Sequence, residues 1–545
     1  MRRPLLGQSL AALALALVAR PALAEDKPSP DLDMAMLNRL TWGATSAEVQ
    51  RMRAMGAEAW LQAELHPPAA ERLPVAAQAM IDALPARTQN TIALVRELHE
   101  QVAAAKAAQA AMAPSGQGPG QGAASTGAAP SSPMQAGPSG ATATQPPPPA
   151  PLTPQEVRRD LLGDAFRQDQ TRLILRALYA PSQLREQLTA FWLNHFNVYA
   201  DKAEIRLFVR DYEDQAIRPH ALGRFRDLLE ATLRSPAMLQ YLDNAQNAKG
   251  RINENYAREI MELHTMGVGS GYTQKDVQEL ARILTGVGIV NPDRPERPSP
   301  ANPAAIRDGM FAFYPGRHDM GDKVFLGHAI KGSGYDEVRQ ALDILCAQPA
   351  TARHVSRQLA QYFVADSPPP ALVERMTARW AKSGGDIAAV LDLLFHSPEF
   401  RASLSHPLLK DPQHFVLSAV RMAYDDRVIA NTQPIANWLN RLGQPFYGHL
   451  TPDGYPLERT AWNGPGQIEQ RFEIAQAIGT GSAGLFKGEA PSATPRQAFP
   501  VLQGALYYGG LDKQLSPGTR TALDQAASPQ EWNVLFLASP DFMGR

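Results

Sequence analysis

Hydrophobic positions recur three and four residues apart over most of the chain. From Asp31 to about Ala111, residues Leu37, Leu40, Val49, Met52, Met55, Trp60 and Leu61 fall at roughly helical spacing, and Ala103 to Ala111 is rich in alanine, a strong helix former. The same period resumes near Thr153 and runs to about Val287. It returns after residue 336 and continues through Phe400 to Arg545. Between these lies an irregular stretch, rich in proline from Pro292 to Pro303. From Phe311 to Leu326, turn residues separate apolar positions and predict a short hairpin or extended loop. Pro445, Pro452, Gly454 and Pro456 punctuate a second, loop-rich interruption from Gly443 to Trp462. The fold class that follows is mainly α: a multi-helix globular protein with a short β-hairpin or extended region near 311–327.

Two segments depart from this pattern. Residues 113–152 collapse into Gly, Pro, Ala, Ser and Gln, which bury too little apolar surface to offset the entropy of ordering, so a disordered insert is expected. Residues 1–24 read as a signal peptide. Arg2 and Arg3 form a positive start, Leu10 to Ala19 form an apolar run too short to span a bilayer, and Ala22-Leu23-Ala24 fits the small-x-small cleavage rule. The general secretory route is the expected one. A periplasmic or secreted location follows, with Glu25 as first mature residue. The organisation is then 1–24 leader, 25–112 N-terminal helical segment, 113–152 insert, 153–290 central helical region, 291–335 loop and hairpin region, and 336–545 C-terminal helical region. At 545 residues the chain favours two or more domains, or one large domain with insertions.

Composition narrows the classes further. Hydrophobic residues are 44% and charged residues 20%, as in globular proteins. Net charge is −1; without the three leader arginines, 50 basic residues face 54 acidic ones. That balance argues against a nucleic-acid partner, which needs a basic excess. No stretch after the leader is apolar and long enough to predict a membrane span. Cys346 is the sole cysteine, so an intrachain disulfide and a thiolate metal cluster are excluded. Its mostly apolar surroundings predict a small buried hydrophobe.

The densest polar run is Asn253 to Thr265. Read as one helix, it places Glu254, Arg258, Glu262 and Thr265 in a stripe, with Asn255 and Glu259 beside it. Tyr256, Ile260 and Leu263 lie opposite, and His264 stands on the apolar side, so this is not a zinc helix of the His-Glu-x-x-His type. Either the stripe is a solvated face tied by ion pairs, or three carboxylates around one arginine acquire unequal pKa values. Such a set suits acid/base work or a hard cation such as calcium. Gly267 reads as a helix C-cap, and Thr273 with Asp276 as a capping box for the next helix. Phe191-Trp192-Leu-Asn194-His195-Phe196 pairs aromatic and histidine side chains one helical turn apart. His195 is there either a core residue or a functional one. His318-Asp319 lies in the hairpin region and is either a polar turn or a loop ligand set. Leu233-Arg-Ser235-Pro236, Phe395-His-Ser397-Pro398 and Leu537-Ala-Ser539-Pro540 each read as a helix stop and restart, with serine as N-cap and proline following.

The run Asn253-Glu-Asn-Tyr-Ala-Arg-Glu-Ile-Met-Glu-Leu-His-Thr-Met-Gly267, followed by Gly271-Tyr-Thr-Gln-Lys-Asp-Val-Gln-Glu279, closely resembles the hallmark of a bacterial family, domain of unknown function 1800. Leu37-Asn-Arg-Leu-Thr-Trp-Gly43, Phe191 to Phe196, His318-Asp-Met-Gly-Asp-Lys323 and Ser539-Pro-Asp-Phe542 resemble its other signatures. Trp42 stands where the family commonly carries phenylalanine. The resemblance implies an exported helical protein without a settled activity. It also implies a companion, the sulfatase-like secreted family called domain of unknown function 1501, as a partner.

Two classes of function follow. The first is an exported hydrolase or lyase of a cell-envelope polymer. Glu254, Glu259, Glu262, Arg258 and His195 would be catalytic, Asn255, Trp192, Asn194 and Tyr272 would bind substrate, and His318 with Asp319 would hold a divalent cation. It predicts a polar cleft where these groups converge and a carboxyl with a raised pKa. The second is a non-catalytic accessory or assembly module working with the sulfatase-like partner. It predicts an apolar surface patch and no such cleft.

Overall fold

The structure is a computed structural model that describes residues 30–85, 89–112, 152–294, 305–488, 499–500, 502–504 and 506–545. The expected leader lies outside these residues. So does the expected insert, apart from Leu152, and the proline-rich stretch from 295 to 304.

The described chain is mainly helical, as its hydrophobic period predicts. Local signals start the helices. Thr153 and Glu156 form a reciprocal capping box ahead of Pro154–Tyr179, and Thr273 and Asp276 form another ahead of Gln274–Ile283. Ser397 and Ser539 accept the N–H of Phe400 and Phe542 with proline at the first helical position, as the stop-and-restart reading requires. Ser235 departs from that rule: it makes no side-chain cap bond, and its hydroxyl is buried without a partner.

The helix Gln183–His195 runs through the middle of the core. Leu184, Leu188, Phe191 and Trp192 are all buried, and so are its polar residues Gln183, Arg185, Glu186 and Gln187. A helix buried on all sides must satisfy its polar groups internally. Here Glu186 accepts from Arg218 at 2.9 Å, and Gln183 donates to the main-chain oxygens of Ala177 and Ala180. Buried side chains from Met34 to Met543 join one continuous hydrophobic cluster. Arg39 crosses it to reach the main-chain oxygens of Phe363 at 2.7 Å and Arg545 at 3.0 Å. The segments read from composition therefore share one core. Cys346 is only partly buried and packs against that cluster; burial pushes its thiol up to about 12, so it stays protonated. Among the described residues, no helix is long and apolar enough to cross a membrane.

Strands lie in the expected extended region near 311–327 and continue on both sides of it. Strands β1 (Val287–Ile289), β2 (Ile306–Asp308) and β3 (Phe311–Phe313) form an antiparallel sheet with β3 in the middle, Phe313 facing Val287 on one side and Ile306 on the other. β2 and β3 form one hairpin across Gly309-Met310, and a second joins β4 (Lys323–Phe325) and β5 (His328–Ile330). Its two-residue turn puts Leu326 at φ 48° and Gly327 at φ 80°, the left-handed geometry that matches strand twist in a tight hairpin. Phe311–Phe313 is the fully buried strand, and it pairs with β1 on the far side of the proline-rich stretch, a contact that local pattern does not reveal.

Candidate functional site

The polar run from Asn253 does not form one long helix. Glu254 is the N-cap, the helix spans only Asn255–Glu262, and Leu263 and His264 both donate to the Glu259 main-chain oxygen. The chain then unwinds. Thr265 is buried and its hydroxyl donates to the Ile260 oxygen at 2.6 Å, so it does not extend the exposed stripe. Helix termination precedes Gly267, whose φ of 87° belongs to the loop after it rather than to a C-cap.

On the outer face, Arg258 lies between Glu254 at 3.3 Å and Glu262 at 3.5 Å, and Gln274 bonds both Arg258 and Glu254. These side chains are 38%, 33% and 25% exposed respectively, an ion-pair ladder at the surface. Asn255 spends its side-chain amide on the Leu242 oxygen. Glu259 differs from its neighbours. Half-burial and the negative charge of Glu262 raise its pKa against the pull of Arg258, and the charge of Asp453 raises it further. Burial, together with a hydrogen bond to Glu262, pushes the Tyr272 hydroxyl up to about 12.

One turn after Glu259, Leu263 enters the wall of a cleft of about 370 Å³. Helices Gln183–His195 and Pro349–Phe363 and the loop from His449 to Glu458 build the rest. Asn194 pins this loop to the first helix. Its amide donates to the Tyr455 oxygen at 2.9 Å and accepts the Tyr455 N–H at 2.7 Å. Asn197 adds bonds to the oxygens of His449 and Thr451. Gly454 sits at φ 72°, and a Cβ there would stand 2.3 Å from the Asn194 main-chain oxygen, so only glycine permits this closure. His195 holds the main-chain oxygen of His264 at 3.1 Å through Nε2, and His354 holds that of Leu263 at 3.2 Å. Burial, with the charge of His354 nearby, pushes the His195 pKa down to about 3; burial also lowers His354. Both rings are therefore neutral near pH 7. Asp453 is 62% exposed on the loop, beside His449, and Glu458 accepts from Gln361 at 3.0 Å. No lysine or arginine is among the described residues lining the cleft.

Behind the Asn194–Tyr455 contact lies a smaller cavity of about 60 Å³, room for water rather than a substrate. At its wall Asp411 pairs with Nδ1 of His414 at 2.7 Å, and the Arg545 guanidinium covers Nε2 at 2.6 Å. Burial and Arg545 push His414 down to about 4. Despite burial, His414 and Arg545 hold the Asp411 carboxyl below its ordinary range. With both ring nitrogens engaged, this aspartate–histidine pair has no free lone pair to act as a base.

The family model described as "Protein of unknown function (DUF1800)" matches residues 35–544, nearly all of the described chain. The chain belongs to the DUF1800 family. No curated protein and no solved structure matches it.

In this DUF1800 protein the polar groups read from sequence separate into distinct places. Asn194 and His195 line the cleft; Glu259 does not, although the charge of the lining residue Asp453 reaches it. Trp192 does not contact it: the ring is wholly buried and donates to the Ala221 oxygen at 2.9 Å. The expected cation ligands His318 and Asp319 are also committed elsewhere. His318 is buried, with Nδ1 against the Thr285 oxygen at 2.7 Å and Nε2 against Glu337 at 3.0 Å, and Lys323 closes the same carboxylate. Asp319 pairs with Arg282 at 2.9 Å, which holds its carboxyl down to about 2. With both ring nitrogens already bonded, His318 has no lone pair left for a metal. His264 is in the core, as its apolar neighbours suggest, yet neither ring nitrogen finds a partner. Sequence reasoning missed His354, His449, Asp453 and Asp411–His414. Only the last left a local trace: aspartate as N-cap, proline next and histidine at the third helical position.

Proposed function

We propose that this protein acts, after export, as a hydrolase or lyase on a hydroxyl-rich polymer of the cell envelope, in the cleft between the His195 and His354 helices and the 449–458 loop. Both reactions need one group that holds a proton and another that has lost it. Glu259 is the candidate for the first: half-burial and the charges of Glu262 and Asp453 raise its carboxyl above its ordinary value, against the pull of Arg258. Asp453, exposed on the loop and lining the cleft, is the proposed partner carboxyl. That pairing of two carboxyls in unlike surroundings, Asp453 in the wall of a polar cleft and Glu259 within reach of its charge one turn before the wall residue Leu263, carries the proposal. Neutral imidazoles, amides and the Tyr455 ring give the cleft walls suited to hydroxyl groups rather than to a strong anion. Arg258 and Glu262 act through Glu259 by setting its charge environment, and Glu254 holds Arg258. Export rests on the N-terminal pattern, and a sulfatase-like protein of the domain of unknown function 1501 family is the partner proposed to work on the same polymer.

The test incubates purified protein with peptidoglycan and with envelope polysaccharides and measures new reducing or unsaturated ends. Activity is expected to fall at least about 100-fold in Glu259→Gln, the usual contribution of a positioned acid or base, and to fall in Asp453→Asn with an altered pH profile. Glu259→Gln retaining full activity, or no product from any polymer with correctly folded protein, would overturn the proposal.

A further inference from the structure

A second cavity lies apart from the cleft, between the helices Val75–Asp82 and Pro154–Tyr179 and the tight turns from Tyr212 to His220. Its volume is about 310 Å³, and Arg172, Arg176, Arg210 and Arg218 converge on its wall. Two of its polar groups are buried and incompletely satisfied. Arg172 is 5% exposed and its Nε–H has no partner. Asp169 is 7% exposed; its nearest cation is Arg172 at 4.0 Å, and it makes no hydrogen bond among the described residues. A buried donor and a buried carboxyl left unbonded each cost free energy, so a group that satisfies both is favoured there.

The charges show which group fits. Arg172 and Arg176 both hold Glu213 and Asp214. Arg218 holds Glu186, Arg210 holds Asp211, and Arg185 holds Glu71. Among the described residues each of these carboxylates is thus matched by a guanidinium, whereas Asp169 has only the longer 4.0 Å contact with Arg172. Tyr447, from the 443–462 loop, contributes an uncharged hydroxyl bonded to the Val209 oxygen. With Asp169 ionised the cluster carries a surplus negative charge; with Asp169 protonated it is balanced and presents an additional O–H donor. Burial pushes the Asp169 carboxyl up to about 7, against the pull of Arg172 and Arg210.

We propose that this cavity binds one oxyanion, the sulfate, phosphate or carboxylate group of a small ligand, and that the anion enters together with a proton on Asp169. The anion accepts from Arg172 Nε and from the Asp169 O–H, and protonation of Asp169 removes one negative charge that would repel it. No covalent bond changes, and the proton taken up from solvent per anion bound equals the fraction of Asp169 still ionised, small at pH 6 and approaching one at pH 8.

Inorganic sulfate is the probe, because its charge does not change between pH 6 and pH 8. It is titrated calorimetrically into the full chain at constant ionic strength, with chloride as the balancing ion. For a site that must be protonated at about 7, binding weakens about tenfold from pH 6 to pH 8. Asp169→Asn keeps a donor without the titration and is expected to bind with no such pH dependence. Arg172→Lys, which removes the Nε–H at its position, is expected to weaken binding at both pH values. Glucose 6-sulfate, run beside the inorganic ion, separates the sources: tighter binding makes the ligand an ester, equal binding the free ion. Absence of sulfate binding to folded protein at both pH values, or an unchanged pH dependence in Asp169→Asn, overturns the proposal.

Discussion

Replacing Glu337 by glutamine tests whether His318 and Lys323 belong to the fold or to a cation site. Both side chains are fully buried and face the same carboxylate, which also accepts the N–H groups of Ser333 at 2.7 Å and Gly334 at 3.1 Å. Glutamine keeps the shape and one acceptor oxygen. It removes the charge and turns an NH₂ group toward the Lys323 ammonium. Removing one partner of a buried ion pair costs about 3–5 kcal/mol, because the other charge is left without compensation. An unfolding entropy of ~2.1 cal/mol/K per residue, summed over about 500 residues, comes to roughly 1 kcal/mol/K. The expected loss in Tm is therefore about 3–5 °C, read by scanning calorimetry at fixed pH and scan rate. Adding Lys323→Met to the variant is expected to restore part of it, since no unpaired charge then remains. A Tm unchanged within about 1 °C, or wild-type protein that holds a stoichiometric divalent ion released by Glu337→Gln, would refute the assignment of this group to the fold.

Two further outcomes follow from the cleft. Gly454→Ala forces a Cβ against the Asn194 main-chain oxygen at a φ that only glycine adopts freely. It should cost about 1–3 kcal/mol and detach the 449–458 loop, seen as faster hydrogen exchange at Tyr455. An unperturbed Tm and exchange pattern would contradict the close approach. His195, neutral in the fold because burial pushes it down to about 3, takes up a proton on unfolding at acidic pH. Its contribution to stability is complete above its ordinary value near 6.5 and is lost as pH falls toward 3, at about 1.4 kcal/mol per pH unit. His195→Gln is thus expected to flatten the dependence of the unfolding free energy on pH between 4.5 and 6 by that slope. An identical slope in both proteins would place the imidazole in solvent.

The sequence by itself determined what near neighbours decide. The 3.6-residue period specified a helical protein because each helix must turn one face inward. Thr153 with Glu156, Thr273 with Asp276, Ser397 and Ser539 mark helix starts because their side chains bond main-chain N–H groups within three residues. The ladder of Glu254, Arg258 and Glu262 was legible for the same reason, being spaced by one turn. The runs that resemble DUF1800 also suffice for membership, which the match over 35–544 establishes.

Tertiary structure decided the rest. Trp192 and Asn194 are two residues apart, yet one is sealed in the core and the other pins a loop 261 residues away. His354 reaches the motif across 91 residues, and Asp453 arrives on a loop that glycine alone allows to close. His318 and Asp319 read alike as polar turn residues, but burial gave His318 to Glu337 and left Asp319 to Arg282. A periodic pattern shows which face of an element turns inward. It does not show which other element meets that face, and this meeting sets the burial, the partner and therefore the charge of every group in the site.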